Sequence, residues 1–241
     1  MNNISKTDLD LLKQKYDNLD PIIDKINNNY PIQYLIGYVD FYGYQIKVNE
    51  SVLIPRFETE TLVEKTVNYI KERKLLNAKV IDIGTGSGCI CIALKKIIES
   101  LSVSALDISS DALKLAKENA KLNKVNINFI LSDIFKFDTS EKYDVIISNP
   151  PYIPTGSICD PKIEYEPYNA IYVSGNPLKY YEQIFKLAKK IINPQYLMAF
   201  EIDEDESVNL YKLAHDFFPN EQIIIEKDLA NKDRFLFIMN D

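Results

Sequence analysis

The sequence predicts an α/β fold: a mostly parallel seven-stranded sheet covered by helices, ended by an antiparallel C-terminal hairpin, and preceded by a short N-terminal helical segment and a β-hairpin. Three observations predict it. From residue 79 onward, short apolar runs rich in β-branched residues alternate with helix-length amphipathic stretches, the pattern of a sheet covered on both faces. Those runs are nearly continuous in apolar character, as strands buried on both sides require. The last two, 222–228 and 234–239, have no helix between them and must pair directly.

The elements follow in order. Thr7 with Asp10 has the form of a capping box with Asp in place of Glu. Asp20 before Pro21 reads as an N-cap followed by an N1 proline. Two short helices are therefore expected before Tyr30. Residues 38–54 place aromatic and β-branched residues around Gly43 and read as a hairpin. An apolar helix is expected over 62–70. Strand 79–83 leads through glycines into a helix over 87–98, and strand 103–107 into a helix over 109–123. That second helix carries Leu113, Ala116, Ala120 and Leu122 at near-helical spacing, with Ser109 or Ser110 as its N-cap. Strands 127–133 and 143–149, an amphipathic helix over 178–192, strand 196–202 and a helix over about 205–217 complete the pattern. The chain divides into a reduced N-terminal helical segment (1–37), a linker hairpin (38–56) and the main domain (57–241).

At 241 residues, 46% hydrophobic and 26% charged, the composition is that of an ordinary soluble globular protein. No uncharged run is long enough to cross a bilayer, and the N-terminus lacks a basic-then-apolar leader. Cys89 and Cys91 sit in an apolar run and are expected to be small buried hydrophobes. The single histidine, His215, has no ligand cluster at metal spacing, so no metal is expected and His215 belongs on a helix surface. A reducing, cytoplasmic monomer fits these features. The net charge of −7 speaks against a large nucleic-acid surface, because phosphate neutralisation dominates such binding.

Gly84, Thr85, Gly86, Ser87 and Gly88 join a strand to a helix. Glycines let the backbone approach a ligand, and the helix N-terminus offers free N–H groups to an anion. Asp107 ends the next strand, where a carboxylate accepts hydrogen bonds from ribose hydroxyls. Asp133 ends the strand after that, with Ile134 beside it, at the adenine position. Asp133 reads equally as a turn cap. Nicotinamide dinucleotides and S-adenosylmethionine share this scheme. The glycine spacing separates them: G-x-G-x-x-G marks the dinucleotides, and here the spacing is Gly84-x-Gly86-x-Gly88. Without a pyrophosphate, the anion at the helix is expected to be the methionine carboxylate. The D-x-G-x-G-x-G form resembles the first motif of the Rossmann-like class I methyltransferases.

Asn149-Pro150-Pro151-Tyr152 follows the fourth strand, at the carboxyl edge where α/β sheets bind ligands. A planar nitrogen shares its lone pair with a π system and is a poor nucleophile. The Asn149 side-chain oxygen accepts one N–H in this reading and the Pro150 carbonyl accepts the other, holding the nitrogen in line with the methyl. Tyr152 stacks on the planar group. The tetrapeptide points to nitrogen methylation and leaves adenine amino groups, guanine amino groups and glutamine amides all open.

Further blocks narrow the choice. Pro31-Ile32-Gln33-Tyr34-Leu35-Ile36-Gly37, Phe41-Tyr42-Gly43, Val52 through Glu60, Asp82 through Gly88, Asn149 through Tyr152, Glu164-Tyr165-Glu166-Pro167 and Lys227-Asp228-Leu229 with Asp233-Arg234 occur in that order. Together they resemble the glutamine-specific protein methyltransferases of peptide-chain release factors, the HemK/PrmC family. The resemblance implies a methyl transfer from S-adenosylmethionine, giving S-adenosylhomocysteine, to the glutamine of a Gly-Gly-Gln motif in a release factor. It implies that Gly84–Gly88, Asp107, Ile134 and Asn149 line the cofactor site and that Asn149, Pro150, Pro151 and Tyr152 bind the glutamine. Phe57 departs from the family's usual Pro, Asp203 and Glu206 replace its usual Gly and Gln, and the N-terminal helical region is shortened. Arg56, Glu58 and Glu60 serve either the following helix's dipole or a substrate gate. Glu201 has a candidate partner in Arg234. The competing readings are a nucleic-acid methyltransferase using the same tetrapeptide and a non-catalytic S-adenosylmethionine-binding protein.

Overall fold

The computed structural model describes residues 4–158 and 160–240. Helix α1 (Lys6–Lys15) begins two residues earlier than the Thr7 cap predicts. Its N-cap is Ser5, whose hydroxyl oxygen accepts from the Asp8 backbone N–H at 3.0 Å while the hydroxyl donates to Asp8 Oδ2 at 2.7 Å. The same pairing of hydroxyl and carboxylate at i and i+3 is used, two residues upstream. Helix α2 (Asp20–Asn27) takes Asp20 inside its first turn, and the Asn18 side-chain oxygen caps the Asp20 N–H in its place. A third short helix, α3 (Ile32–Ile36), follows Pro31. Strands β1 (Tyr38–Phe41) and β2 (Tyr44–Lys47) form the hairpin, shorter than expected because residues 48–56 leave it as an irregular strip.

Helix α4 (Phe57–Glu72) starts at Arg56 with Glu58 and Glu60 in its first turn, where carboxylates suit the helix dipole. Then come β3 (Lys79–Ile83), α5 (Cys89–Ile97), β4 (Ser102–Asp107), α6 (Ser110–Leu122), β5 (Asn128–Leu131) and β6 (Tyr143–Ser148). The cap of α6 is Ser109. Leu113, Ala116 and Ala120 are buried, whereas Leu122, in the last turn, is exposed. A two-residue pairing of β7 (Ile153–Pro154) with β8 (Tyr172–Val173) closes a long loop that contains α7 (Tyr168–Ile171). Helix α8 (Lys179–Ile191), β9 (Ile192–Glu201), α9 (Ser207–Phe217), β10 (Gln222–Lys227) and β11 (Asp233–Met239) complete the chain.

The main sheet has the order β10-β11-β9-β6-β3-β4-β5. Strands β5, β4, β3, β6 and β9 are mutually parallel, and β11 inserts antiparallel between β9 and β10. The chain therefore fills one side of β3 first and returns to the other side with β6, which puts a topological switch point between β3 and β6. One face packs α4 and α5 around Leu62, Ile70, Ile92 and Phe237. The other packs α8 and α9 around Tyr181, Phe185, Phe200 and Leu210. Cys89 and Cys91 lie buried and unpaired in the first core, and His215 is exposed on α9. Cys159 lies outside the described residues. Buried Asn119 on α6 accepts from the Lys47 N–H and donates to the Lys47 and Ser87 carbonyls, fastening the hairpin to the glycine loop.

Candidate active site

Strand register sets the site. Ile83 of β3 pairs with Ser148 of β6, so Gly84 and Asn149 leave adjacent strands at the same level. The Ser148 hydroxyl donates to the Ile83 carbonyl at 2.6 Å and locks the two strand ends together. Beyond them lies a cavity of about 280 Å³ whose wall includes Gly84, Gly86, Asp107, Asp133, Ile134 and Asn149.

The glycine loop divides by function. A Cβ built on Gly84 or Gly86, both at positive φ, would meet nothing within 4 Å, so these residues open onto free space. A Cβ on Gly88, at φ +82°, would come within 3.2 Å of Ala116 Cβ and 3.3 Å of Ile92 Cδ1. Gly88 therefore serves the packing of α5 on α6. Among the five, only Gly84 and Gly86 line this cavity. Thr85 is buried with its hydroxyl on Asp82 Oδ2 at 2.6 Å, and Ser87 is buried with its carbonyl on Asn119.

Asp107 accepts the Gly86 N–H on Oδ2 and the Ser109 N–H on Oδ1, both at 2.8 Å. A carboxylate offers about four lone-pair sites, so each oxygen retains capacity for a hydroxyl donor. Burial pushes the Asp107 carboxyl up, and the backbone N–H bonds oppose that shift. Asp133 fits both readings: its Oδ1 caps the Phe135 N–H at 3.0 Å, and it stands on the cavity wall beside Ile134. Asp82 is fully buried, and burial pushes its carboxyl up to about 7. Among the described residues, Asp82 Oδ1 has no hydrogen-bond partner.

A second cavity of about 120 Å³ adjoins the first. Asn149, Pro150 and Pro151 belong to both walls, while Tyr152, Arg56 and Glu201 face only the smaller one. Glu201 does not pair with Arg234. Its Oε2 accepts from the Thr59 hydroxyl at 2.7 Å and its Oε1 from the Tyr152 hydroxyl at 3.2 Å. The Arg234 guanidinium is taken by Asp228 and by the Ile202 carbonyl. Asn149 Nδ2 donates to Thr59 Oγ1 at 3.2 Å. Arg56 caps α4 and also pairs with buried Glu166, which accepts the Ile54 N–H at 2.8 Å. That pair staples strip 51–56 to the loop before α7. Leu53 and Ala170 from these two pieces border both cavities.

Of the departures at Phe57, Asp203 and Glu206, Phe57 is largely exposed at the start of α4. Asp203 caps a one-turn 3-10 helix, and Glu206 accepts from Asn209. Thr59, Glu166 and Asn119 are the contributors that local sequence patterns did not assign, because each acts on a partner far away in the chain. Among the described residues, no group of three or more His, Cys, Asp or Glu comes together as a metal site, and no helix is long and apolar enough to cross a membrane.

Residues 75–215 match the family described as Methyltransferase domain. A release factor glutamine methyltransferase of Fusobacterium nucleatum is 39% identical over 221 residues, covering 85% of this chain and 62% of that protein. One from Flavobacterium psychrophilum is 38% identical over 222 residues, covering 89% of this chain and 77% of that protein. The crystal structure of a release factor-specific protein-(glutamine-N5) methyltransferase from Alicyclobacillus acidocaldarius shares the fold, with a TM-score of 0.50 and 24% identity, covering 81% of this chain and 99% of that one. The chain spans about three fifths of the first relative's length and about three quarters of the second's. By sequence, the chain belongs to the release factor glutamine methyltransferase family.

Proposed function

We propose that this protein transfers a methyl group from S-adenosylmethionine to the side-chain amide nitrogen of the glutamine in the Gly-Gly-Gln motif of a peptide-chain release factor. One observation carries the reading: Asn149, Pro150 and Pro151 form the common wall of two adjoining cavities. A cofactor in the larger one and an amide in the smaller one would meet there.

The residues present fit that cofactor. Gly84 and Gly86 leave room where side chains would intrude, and Asp107 has acceptor capacity for ribose hydroxyls. Asp133 and Ile134 would flank the adenine. When bound, S-adenosylmethionine supplies an electrophilic methyl on a sulfonium. The protein's part is orientation. The Asn149 oxygen and the Pro150 carbonyl accept the two amide N–H groups, which holds the nitrogen on line and favours the positive charge growing there. Tyr152 is tethered by its hydroxyl to Glu201, which fixes its ring at the wall of the smaller cavity. A strong general base is unnecessary, because an N-alkylated amide cation gives up its proton readily.

The test is a competition between acceptors. Purified release factor, ribosomal RNA and DNA are incubated separately with the protein and S-adenosylmethionine labelled in the methyl group. The proposal expects label on the release factor. Label on nucleic acid, with binding that falls steeply as salt rises, would overturn it.

A further inference from the structure

We propose that Thr59 and Glu201 are positioning residues that dictate which atom of the Asn149 amide faces the acceptor nitrogen. The inference rests on the reading above, in which the Asn149 oxygen accepts an N–H from substrate.

A side-chain amide has two faces of opposite hydrogen-bond character, and turning it over exchanges acceptor for donor. Only one orientation can receive an N–H. Something must select it, because Asn149 stands on the shared wall of the two cavities.

The selector is a chain of hydrogen bonds with a fixed direction. It starts at Glu201, on β9, which is 2% exposed. An ionised carboxylate only accepts. The Thr59 hydroxyl, on α4 and 3% exposed, has one proton and gives it to Glu201 Oε2 at 2.7 Å. Thr59 Oγ1 is then left with lone pairs alone. The atom of Asn149 that can meet it is Nδ2, which lies 3.2 Å away. The Asn149 oxygen is therefore left without a protein partner among the described residues. The Tyr152 hydroxyl, donating to Glu201 Oε1 at 3.2 Å, ties the second half of the tetrapeptide to the same carboxylate. Burial pushes the Glu201 carboxyl up, while the Thr59 hydroxyl, the Arg234 charge and the Tyr152 hydroxyl favour its ionised form. One buried acceptor thus sets the polarity of Asn149 through a relay that spans α4, β9 and the loop after β6.

The experiment compares wild type with Thr59→Val, Thr59→Ser and Glu201→Gln, using release factor and S-adenosylmethionine. It reads kcat, KM for the release factor, cofactor Kd and thermal melting. Thr59→Val keeps shape but loses the relay, so kcat should fall about tenfold, near the upper worth of one neutral hydrogen bond. KM and cofactor Kd should change little. Thr59→Ser keeps the proton and should return kcat to within about threefold of wild type, as a residual packing loss of up to about 0.6 kcal/mol allows. Glu201→Gln can donate toward Thr59 and reverse the chain in part of the population, so kcat should fall in that variant too. Wild-type kcat in folded Thr59→Val overturns the proposal, as does a Thr59→Ser variant as slow as Thr59→Val, which would mean that volume matters and the proton does not. If Thr59→Val fails to fold, an unchanged kcat in Glu201→Gln overturns it by itself. An inactive wild type would instead strike the function proposed above, so the two failures are distinguishable.

Discussion

Raising the pH from about 5 to about 8 should cost the fold stability at Asp82. This residue is fully buried near the end of β3, with one oxygen on the Thr85 hydroxyl and the other without a hydrogen-bond partner among the described residues. Burial pushes its carboxyl from 3.8 up to about 7. The unfolded chain releases this proton near 3.8, whereas the folded chain keeps it until about 7. Between those values the folded state holds a proton that the unfolded state has lost. The stabilisation is thus complete below the unfolded value and is lost as pH rises through the folded one. Roughly three units at 1.36 kcal/mol each gives about 4 kcal/mol as the full swing. Asp107 and Glu201, also pushed up by burial, slope the same way, and Glu226, held down by Lys65 and Tyr69, slopes the other way. The informative quantity is therefore the difference between wild type and Asp82→Asn. Urea unfolding of both proteins at several pH values should show wild type losing about 2 to 3 kcal/mol more than the variant between about pH 5 and 8, because part of the full swing is already spent below about pH 5. Parallel stability curves would refute the assignment, whatever the absolute stability of the variant.

Three further outcomes are expected. Gly88→Ala combines a left-handed backbone position with a Cβ at 3.2 Å from Ala116, and should lower stability by about 2 to 3 kcal/mol in urea unfolding; an unchanged midpoint would contradict the packing role given to Gly88. Arg56→Ala strips buried Glu166 of its cation. Because the Arg56 side chain is 39% exposed, the loss should be about 1 to 2 kcal/mol, less than the 3 to 5 typical of a fully buried pair. Cofactor binding measured by calorimetry should weaken at the same time, since Leu53 and Ala170 lie on the stapled pieces, and unchanged affinity would make the staple irrelevant to the site. Asn149→Ala should abolish transfer while cofactor still binds, somewhat more weakly.

Most of the sheet could be read from the sequence because its signals are local. A β-branched apolar run such as 79–83 fixes its own conformation, and Gly84 and Gly86 announce a turn that side chains would obstruct. The register between β3 and β6 brings Asn149 beside Gly84. The missed features are long-range or depend on phase. The cap at Ser5 and the one at Thr7 obey the same rule, and the folded helix uses the one at Ser5. Only alternate members of the Gly84–Gly88 turn face the cavity, and spacing alone cannot tell which. Charge alone offers Glu201 a candidate partner in Arg234. The folded chain gives it two hydroxyls instead, because α4 brings Thr59 to it and the loop after β6 brings Tyr152. Glu166 shows the same limit: its partners Ile54 and Arg56 lie more than a hundred residues earlier in the chain.

The central claim is that the Asn149–Tyr152 loop methylates a glutamine amide. It is tested most directly by site-resolved peptide mass analysis of release factor after incubation with wild type or Asn149→Ala and S-adenosylmethionine. The account predicts one added methyl, on the side chain of the Gly-Gly-Gln glutamine, with wild type and none with the variant. A methyl on another residue, or equal modification by Asn149→Ala, would contradict it.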